Sequence, residues 1–350
     1  ERVGERVVIY QRLFCGVCRY CLSGRQDLCR NSRVLGEQGG GGYAEFACVP
    51  ARNAIRIPDG VETTAAALAA SWNRDLLFSV GQALAVECRD AGVSVLLGPG
   101  ANIKRSPLCG RNFEYFSEDP YLSGQLAASN IRGLQSRGVG ASLKHYCANN
   151  QEYRRMTIDV VVDERALREI YLAGFEIAVT ESQPWTVMCA YNRVNGTYAS
   201  EHAELMTAIL KEEWGHEGLV ITDWGATSNR IAGLEAGVEV EMPGTFSGND
   251  ADIAAAVRSG RIAEAVLDKA AARILELIAR AAPAPAQSGE TFDAVAHHAL
   301  ARRAAEEGTV LLKNDGALLP LTGKRCVGLL GRFAREPRYQ GAGSSLVNPS

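Results

Sequence analysis

The chain has 350 residues, 47% of them hydrophobic, which is enough to build two domains with buried cores and excludes a disordered protein. Its 37 basic and 40 acidic residues leave a net charge of −3, so we expect neither nucleic acid nor an anionic membrane as a partner. No apolar run reaches the roughly 18 residues of a membrane-spanning helix. The chain begins at Glu1 without a basic and apolar leader, which predicts a fragment boundary rather than a signal peptide and favours the cytoplasm only slightly.

Two kinds of pattern follow one another along the chain. Residues 1–65 contain short apolar runs interrupted by glycine and proline, which predicts a small all-β lobe. From residue 66, apolar runs alternate with longer helical segments such as 163–180 and 202–214. Because strands separated by helices are typical of parallel sheets, the fold class predicted here is α/β, with chemistry at the carboxyl ends of the strands. The predicted strands are 93–97, 185–190 and 219–222.

The last part of the chain predicts a second α/β unit. Residues 281–291 form an alanine and proline tract without periodicity, which predicts a linker. A helical pattern at 292–307 and apolar runs at 309–312 and 327–330 resemble the first elements of another domain. The predicted organisation is therefore a zinc lobe at 1–65, a barrel-type domain at 66–280, a linker, and the start of a further α/β domain at 292–350.

Four cysteines near the amino terminus have the spacing of a metal site. Cys15, Cys18, Cys21 and Cys29 are separated by two, two and seven residues, with Gly16 among them. This spacing lets a tight turn bring four thiolates around one tetrahedral Zn²⁺, and four sulfur ligands leave no position for a reacting water. We therefore predict a structural zinc ion, with disulfides or free thiols as the alternatives.

The same segment resembles the structural-zinc lobe of medium-chain, zinc-dependent alcohol dehydrogenases. The resemblance is carried by the cysteine cluster, by residues 41–46 (Gly-Gly-Tyr-Ala-Glu-Phe) and by residues 57–60 (Ile-Pro-Asp-Gly), and it covers about residues 1–65. The catalytic zinc ligands and the nucleotide-binding unit of that family have no counterpart in this sequence. A dehydrogenase fragment is therefore kept only as an alternative function, and no cofactor is predicted for catalysis.

Polar residues follow several of the apolar runs, where a parallel barrel collects its active site. Arg111 follows the first run, and Lys144 and His145 follow residues 141–143. Tyr191 and the pair Asp223–Trp224 come directly after the next two runs. Each residue alone has an ordinary structural explanation, such as a helix cap, a surface ion pair or a core aromatic. Together they suit a pyranoside, which needs a carboxylate beneath its anomeric carbon, hydrogen-bonding groups around its hydroxyls and an aromatic wall.

The segment from about residue 66 to 350 resembles glycoside hydrolase family 3 of the β-glucosidase type. The matching motifs are Ala-Ala-Ser-Trp-Asn at 69–73, Gly-Arg-Asn-Phe-Glu-Tyr-Phe-Ser-Glu-Asp-Pro at 110–120, Lys-His at 144–145, Ala-Tyr-Asn at 190–192, Thr-Asp-Trp-Gly at 222–225 and Glu-Met-Pro-Gly at 241–244. The resemblance implies an incomplete (β/α) TIM-type barrel, preceded by the all-β zinc lobe and followed by the start of an α/β sandwich domain.

The resemblance also implies residue roles. Asp223 corresponds to the catalytic nucleophile, and neighbouring positive charge from Arg111, Lys144 or Arg155 is expected to keep it ionised. Arg111, Lys144, His145 and Tyr191 correspond to residues that contact the sugar, and Trp224 to the wall of that subsite. The implied activity is retaining hydrolysis that releases non-reducing-end β-linked glucose, or xylose, from a β-glucoside or related oligosaccharide.

Two parts of the family pattern have no counterpart in this sequence. The early strand with an Asp-Gly-Pro motif is replaced by the zinc lobe, and no general acid can be named among the 350 residues. Residues 58–70 fit both families, so a gene fusion, a rearranged genomic segment and an assembly artefact are all compatible with the junction. A non-catalytic sugar-binding hybrid is the remaining alternative, and the sequence predicts no oligomeric state.

Overall fold

The computed structural model describes residues 65–244, 249–281 and 292–317, a few residues between 319 and 331, and four short strands nearer the amino terminus. These strands are β1 (Val7–Ile9), β2 (Arg12–Leu13), β3 (Arg33–Val34) and β4 (Ala54–Arg56). β1 pairs with β4 and β2 with β3, both antiparallel. Backbone contacts assign Thr63–Val310 to one unit, and Glu1–Glu62 with Leu311–Ser350 to another.

The larger unit is built on a parallel sheet. Its strands are β5 (Val95–Leu96), β6 (Gly140–Tyr146), β8 (Thr186–Cys189) and β11 (Leu219–Thr222), in the order β11-β8-β6-β5. Val240 extends the sheet by a single parallel bridge to Ile221. A side sheet contains β7 (Asp159–Val160), β9 (Arg193–Val194) and β10 (Thr197–Tyr198). The α/β fold class with parallel strands is therefore confirmed.

Helices connect and cover these strands. They are α1 (Ala65–Ala70), α2 (Arg74–Asp90), α3 (Pro120–Gln135), α4 (Glu164–Ala166, continuing through the π-helical Leu167–Leu172 into Ala173–Ser182), α5 (the π-helical Glu204–Glu213), α6 (Arg230–Ala236), α7 (Asn249–Arg258), α8 (Glu264–Ala281) and α9 (Ala294–Gly308). Side-chain caps explain several starts: Asn73 accepts from the amides of Asp75 and Leu76, and Asp119 accepts from that of Leu122 ahead of α3.

The two faces of the sheet have different partners. In β8, Val187 and Cys189 belong to the main core, which also contains buried residues of α2, α3 and α4. Met188, which points to the opposite face, clusters with Leu219 and Ile221 of β11. Ile274 and Leu277 of α8 pack against that second cluster. The parallel sheet is therefore packed on both of its faces.

Glycines allow a close contact between two helices of the main core. Gly81 of α2 and Gly133 of α3 face each other, and a Cβ on Gly133 would collide with the carbonyl group of Phe78. The two backbones approach so closely that any side chain at either position would push the helices apart. This contact fixes α3, whose first turn follows the loop that carries Arg111.

Two sequence predictions differ from the structure. Residues 309–312 form no strand, and Leu311 and Leu312 are exposed, since no neighbouring strand pairs with them among the described residues. Lys144 and His145 lie inside β6 rather than after it, because the strand continues to Tyr146.

The predicted domain boundaries at 65, 280 and 292 stay predictions. The predicted apolar strand at 327–330 falls partly outside the described residues, as does the predicted linker at 281–291, of which only Ala281 is described. Within the part of the chain that the structure describes, no helix combines the length and hydrophobicity needed to cross a membrane.

Candidate active site

Asp223 occupies the end of β11, where the chain turns away from the sheet. Its amide donates to the Cys189 carbonyl at 3.2 Å, which ties the turn to the neighbouring strand. Gly225 has a φ of +83°, and its amide donates to the Met242 carbonyl at 2.7 Å. A left-handed residue is needed here to reverse the chain, and glycine adopts that conformation without a Cβ clash. The turn leaves Asp223 only 8% exposed.

The two oxygens of the Asp223 carboxylate have different surroundings. Oδ1 accepts a hydrogen bond from the Trp224 amide at 2.7 Å. Oδ2 is buried, and no donor among the described residues makes a hydrogen bond to it. Two nitrogens lie nearby instead, Nη1 of Arg111 at 3.8 Å and Nε2 of His145 at 3.5 Å. One oxygen therefore fixes the carboxylate while the other keeps its lone pairs available.

Glu114 links the two cations of the site. Its Oε1 accepts from Nε of Arg111 at 2.5 Å, and its Oε2 lies 3.1 Å from Nζ of Lys144. Burial alone would raise the pKa of Glu114, but the adjacent Lys144 and Arg111 lower it below its ordinary value. The three side chains therefore form an ionised cluster next to Asp223.

His145 is rigidly placed and uncharged. Its amide donates to Oδ1 of Asn102 at 2.8 Å, and its carbonyl accepts from Nδ2 of the same residue at 2.9 Å. Burial, reinforced by Arg111, Lys144 and Arg155, holds the pKa of His145 well below its ordinary value. Facing a carboxylate, the neutral ring is expected to carry its proton on Nε2, in which case Nδ1 accepts from the Tyr115 hydroxyl at 3.2 Å.

Tyr191 and Trp224 complete the surroundings of Asp223. The Tyr191 hydroxyl donates to the Trp224 carbonyl at 3.0 Å, and the guanidinium of Arg155 lies over the Tyr191 ring at 4.6 Å from its centroid. Burial, with Asp223 as the next cause, raises the pKa of Tyr191 and keeps its hydroxyl protonated. Trp224 directly follows Asp223 and is 52% exposed.

The structure brings the predicted site residues into one region. From the sequence we expect Arg111, Lys144 or Arg155 to lie beside Asp223, and the observed ion pairs differ from that expectation. Arg111 lies near Asp223, whereas Lys144 pairs with Glu114, and Arg155 pairs with Glu152 at 2.7 Å. Of the three cations predicted to lie near Asp223, only Arg111 therefore contacts its carboxylate among the described side chains.

Sequence reasoning gave no role to Glu114, Asn102 or Tyr115. Glu114 stands three residues after Arg111 within one recognised motif, so its charge and spacing were a usable signal. Asn102 and Tyr115 act through backbone and ring contacts that no spacing rule indicates. Glu241, which follows another apolar run, is bound by Nδ2 of Asn249 at 3.0 and 3.1 Å.

The predicted zinc ligands, Cys15, Cys18, Cys21 and Cys29, lie outside the described residues. In the ranges that the structure does describe, no group of three or more histidine, cysteine or acidic side chains could hold a metal ion. The described cysteines are unpaired and buried: Cys88, Cys109, Cys147 and Cys189.

Two family profiles match the chain. The family described as the glycosyl hydrolase family 3 N terminal domain matches residues 56–277, and the alcohol dehydrogenase GroES-like domain matches residues 1–59. Among curated proteins, the thermostable beta-glucosidase B of Acetivibrio thermocellus is 55% identical over 294 residues, which cover 84% of this chain and 39% of that protein. An exo-alpha-(1->6)-L-arabinopyranosidase of Bifidobacterium breve is 48% identical, over 84% of this chain and 40% of that protein. The chain thus spans about two fifths of the length of these relatives.

Solved structures of beta-glucosidases are also similar to this chain. A family 3 beta-glucosidase from Bifidobacterium adolescentis superimposes with a TM-score of 0.79 at 45% identity, covering 84% of this chain and 44% of that one. Beta-glucosidase 3B of Thermotoga neapolitana in complex with glucose superimposes with a TM-score of 0.78 at 45% identity, covering 82% and 41%. At this identity, the likeness extends beyond the fold to the sequence itself.

Proposed function

Because this chain belongs to glycosyl hydrolase family 3, we propose that it carries the nucleophilic side of a retaining glycosidase site, with Asp223 as the nucleophile. The Asp223 carboxylate attacks the anomeric carbon of a β-linked glucoside or xyloside, and the bond from that carbon to the leaving oxygen breaks. Water then cleaves the glycosyl–Asp223 ester and releases the sugar with retained configuration. Displacement at an acetal carbon requires no redox cofactor, so none is proposed.

The observation that carries this proposal is the asymmetry of the Asp223 carboxylate. Oδ1 is fixed by the Trp224 amide, while buried Oδ2 has no hydrogen-bond donor among the described residues. A purely structural buried carboxylate is expected to have donors on both oxygens, since an unpaired buried acceptor costs about 1–3 kcal/mol. An attacking oxygen, in contrast, needs free lone pairs beneath the sugar ring.

The surrounding side chains suit the hydroxyls of a pyranose. Lys144 and Arg111 keep N–H donors beyond those that meet Glu114, and the neutral His145 offers Nε2. We assign these three residues to sugar hydroxyls and Tyr191 to the orientation of Asp223 and Trp224. The half-exposed Trp224 indole provides an apolar wall against one face of the ring.

The proposal is tested by covalent labelling. A dinitrophenyl fluoroglucoside, in which fluorine replaces the hydroxyl next to the anomeric carbon, has a leaving group that departs as a stable anion without a general acid. Attack by Asp223 expels dinitrophenolate, and the fluorine slows hydrolysis of the ester that forms. We expect the intact mass of the chain to rise by one fluoroglucosyl group, located on the peptide that contains Asp223.

Two variants control the labelling experiment. Asp223→Asn should abolish labelling, whereas Asp163→Asn, at the exposed cap of α4, should be labelled like the wild type. A label on another residue, or undiminished labelling of Asp223→Asn, would refute the nucleophile assignment. A wild-type chain that binds glucose in calorimetry but is never labelled would instead support the non-catalytic sugar-binding alternative.

We also infer a structural zinc site in residues 1–59. The support is the cysteine spacing together with the match to the alcohol dehydrogenase GroES-like domain. Cys15, Cys18, Cys21 and Cys29 would supply four thiolates to one tetrahedral Zn²⁺ that stabilises its lobe. Metal analysis should find one zinc per chain, and Cys18→Ser should remove it. Detection of disulfides between these cysteines by mass spectrometry would contradict the assignment.

The two family matches overlap at residues 56–59, close to the predicted junction. We infer that two unrelated segments are joined there, which makes the chain a hybrid of a zinc lobe and part of a hydrolase barrel. Amplification of the source DNA across codons 55–80 should give one continuous product. Separate products with other flanking sequences would contradict a natural fusion.

A further inference from the structure

Glu114 is a charged side chain of the site to which the proposed chemistry assigns no step. It is mostly buried, and each of its two oxygens contacts a cation. Its two partners come from different elements, Arg111 from the loop before α3 and Lys144 from β6. Glu114 is thus the link between a loop and a strand.

We propose that Glu114 is a positioning residue that sets the two sugar-binding cations, Arg111 and Lys144, at a fixed separation and orientation. The proposal rests on the function proposed above, since it assumes that these cations meet sugar hydroxyls. Glu114 contacts no substrate itself. It acts through its two partners and so determines how tightly the pyranose is bound.

The geometry at Arg111 supports this role. The guanidinium is planar, so the contact of its Nε with Oε1 of Glu114 fixes the direction of its other nitrogens. With Nε held in this way, Nη1 lies 3.8 Å from Oδ2 of Asp223, outside hydrogen-bonding distance. Without Glu114, the guanidinium would be free to close on Asp223 and occupy the space beneath the sugar.

The charge balance supports it as well. Arg111 and Lys144 are both largely buried and carry like charges, and Glu114 lies between them. The pKa of Glu114 is lowered by these two neighbours despite its burial, so the carboxylate is charged when the cations are. Removing this charge would leave two buried cations repelling each other next to a single carboxylate, Asp223.

The experiment measures the rate of labelling of Asp223 at increasing concentrations of the dinitrophenyl fluoroglucoside. For Glu114→Gln we expect the half-saturating concentration to rise about 10- to 100-fold, because charge-assisted contacts that orient both cations are lost. The rate at saturation should change much less, since Asp223 and its Trp224 contact remain. Glu114→Asp keeps the charge and should recover part of the affinity.

Glu118→Gln is the matched control, because Glu118 lies in the same loop but is exposed and is expected to label like the wild type. An unchanged half-saturating concentration in Glu114→Gln would overturn the proposal, and so would a loss confined to the saturating rate. Thermal unfolding of each variant shows whether it is folded. If Glu114→Gln does not fold, Glu114→Asp decides the question by the same two parameters.

Calorimetric titration with glucose separates this proposal from the proposed function. If the wild type binds glucose and is not labelled, the nucleophile assignment fails, and weaker glucose binding by Glu114→Gln still supports the positioning role. If the wild type is labelled and both variants behave like it, only the positioning role fails. A wild type that neither binds glucose nor is labelled overturns both.

Discussion

A buried carboxylate lies near each end of strand β11, and the two carboxylates differ in their hydrogen bonding. Near the start of the strand, Glu239 has a donor on each oxygen: Oε1 meets Lys211 and Arg273, and Oε2 accepts from the Val220 amide at 2.7 Å. After its end, Asp223 has a donor only on Oδ1. Both residues are less than 10% exposed, at 6% and 8%. Burial alone therefore does not separate a structural carboxylate from a functional one, whereas the completeness of its hydrogen bonding does.

This comparison predicts its largest effect on stability at Glu239. The side chains of Lys211 and Glu239 are only 4% and 3% exposed, so Glu239→Gln leaves buried cations without a counterion. We expect the free energy of unfolding to fall by about 3–5 kcal/mol, measured by urea denaturation. The control is Glu306→Gln, whose partner Arg302 is 76% exposed and whose loss should cost less than about 1 kcal/mol. Equal losses of stability from the two substitutions would contradict a special structural role for the buried Glu239 carboxylate.

A pH-dependent effect is predicted at His216, close to the Lys211 cluster. Burial, with Lys211 as the next cause, lowers the pKa of His216 from 6.5 to about 3. Between these values the unfolded chain binds a proton that the folded chain does not, so the free energy of unfolding decreases as the pH falls below 6.5. At pH 5 the loss amounts to about 2 kcal/mol relative to neutral pH.

His216→Leu should reduce that difference, since leucine does not titrate and neither ring nitrogen of His216 has a hydrogen-bond partner among the described residues. Denaturation curves at pH 5 and pH 7.5 measure it. The exposed His298 provides the control, because His298→Leu should leave the difference in place. An undiminished pH dependence in His216→Leu would show that other groups cause it.

Among these substitutions, we expect the one at Asp223 to change the free energy of unfolding least. It should nevertheless have the largest effect on labelling. Asp223→Asn removes a charge whose Oδ2 makes no hydrogen bond to the described residues, so we expect the free energy of unfolding to change by less than about 1 kcal/mol. Labelling should nevertheless be abolished. A large loss of stability would indicate that Asp223 serves the fold, as Glu239 does.

The sequence predicts the bounds of the short, apolar strands β8 and β11 closely. Leu219–Thr222 has the predicted bounds, and the strand predicted at 185–190 is observed at Thr186–Cys189. Both strands are buried on two faces, so a continuous apolar run is a sufficient signal. The run at 309–312 is similarly apolar but forms no strand, because pairing partners, which no local pattern specifies, decide whether such a run is extended.

The sequence predicts which residues form the site, but it does not predict which of their side chains contact one another. Motifs indicate Asp223, Arg111 and Lys144, but the sequence does not show that Lys144 pairs with Glu114. Likewise, the two hydrogen bonds between the Asn102 side chain and the His145 backbone, one donated and one accepted by Asn102, depend on the loop after β5 lying beside β6. Ion-pair partners in such a site are chosen by side-chain geometry across separate loops, which spacing along one chain does not encode.

The exposure of Trp224 makes this residue a built-in optical probe. Its indole is 52% exposed and directly follows Asp223, whereas Trp214 is buried, at 6%. A ligand stacked on Trp224 would shield it from iodide and shift its fluorescence emission to shorter wavelength. Trp72, at 75% exposure, is the other strongly exposed tryptophan among the described residues, and Trp72→Phe would remove its background. Occupancy of the site could then be followed in real time, without turnover and without a chromogenic substrate.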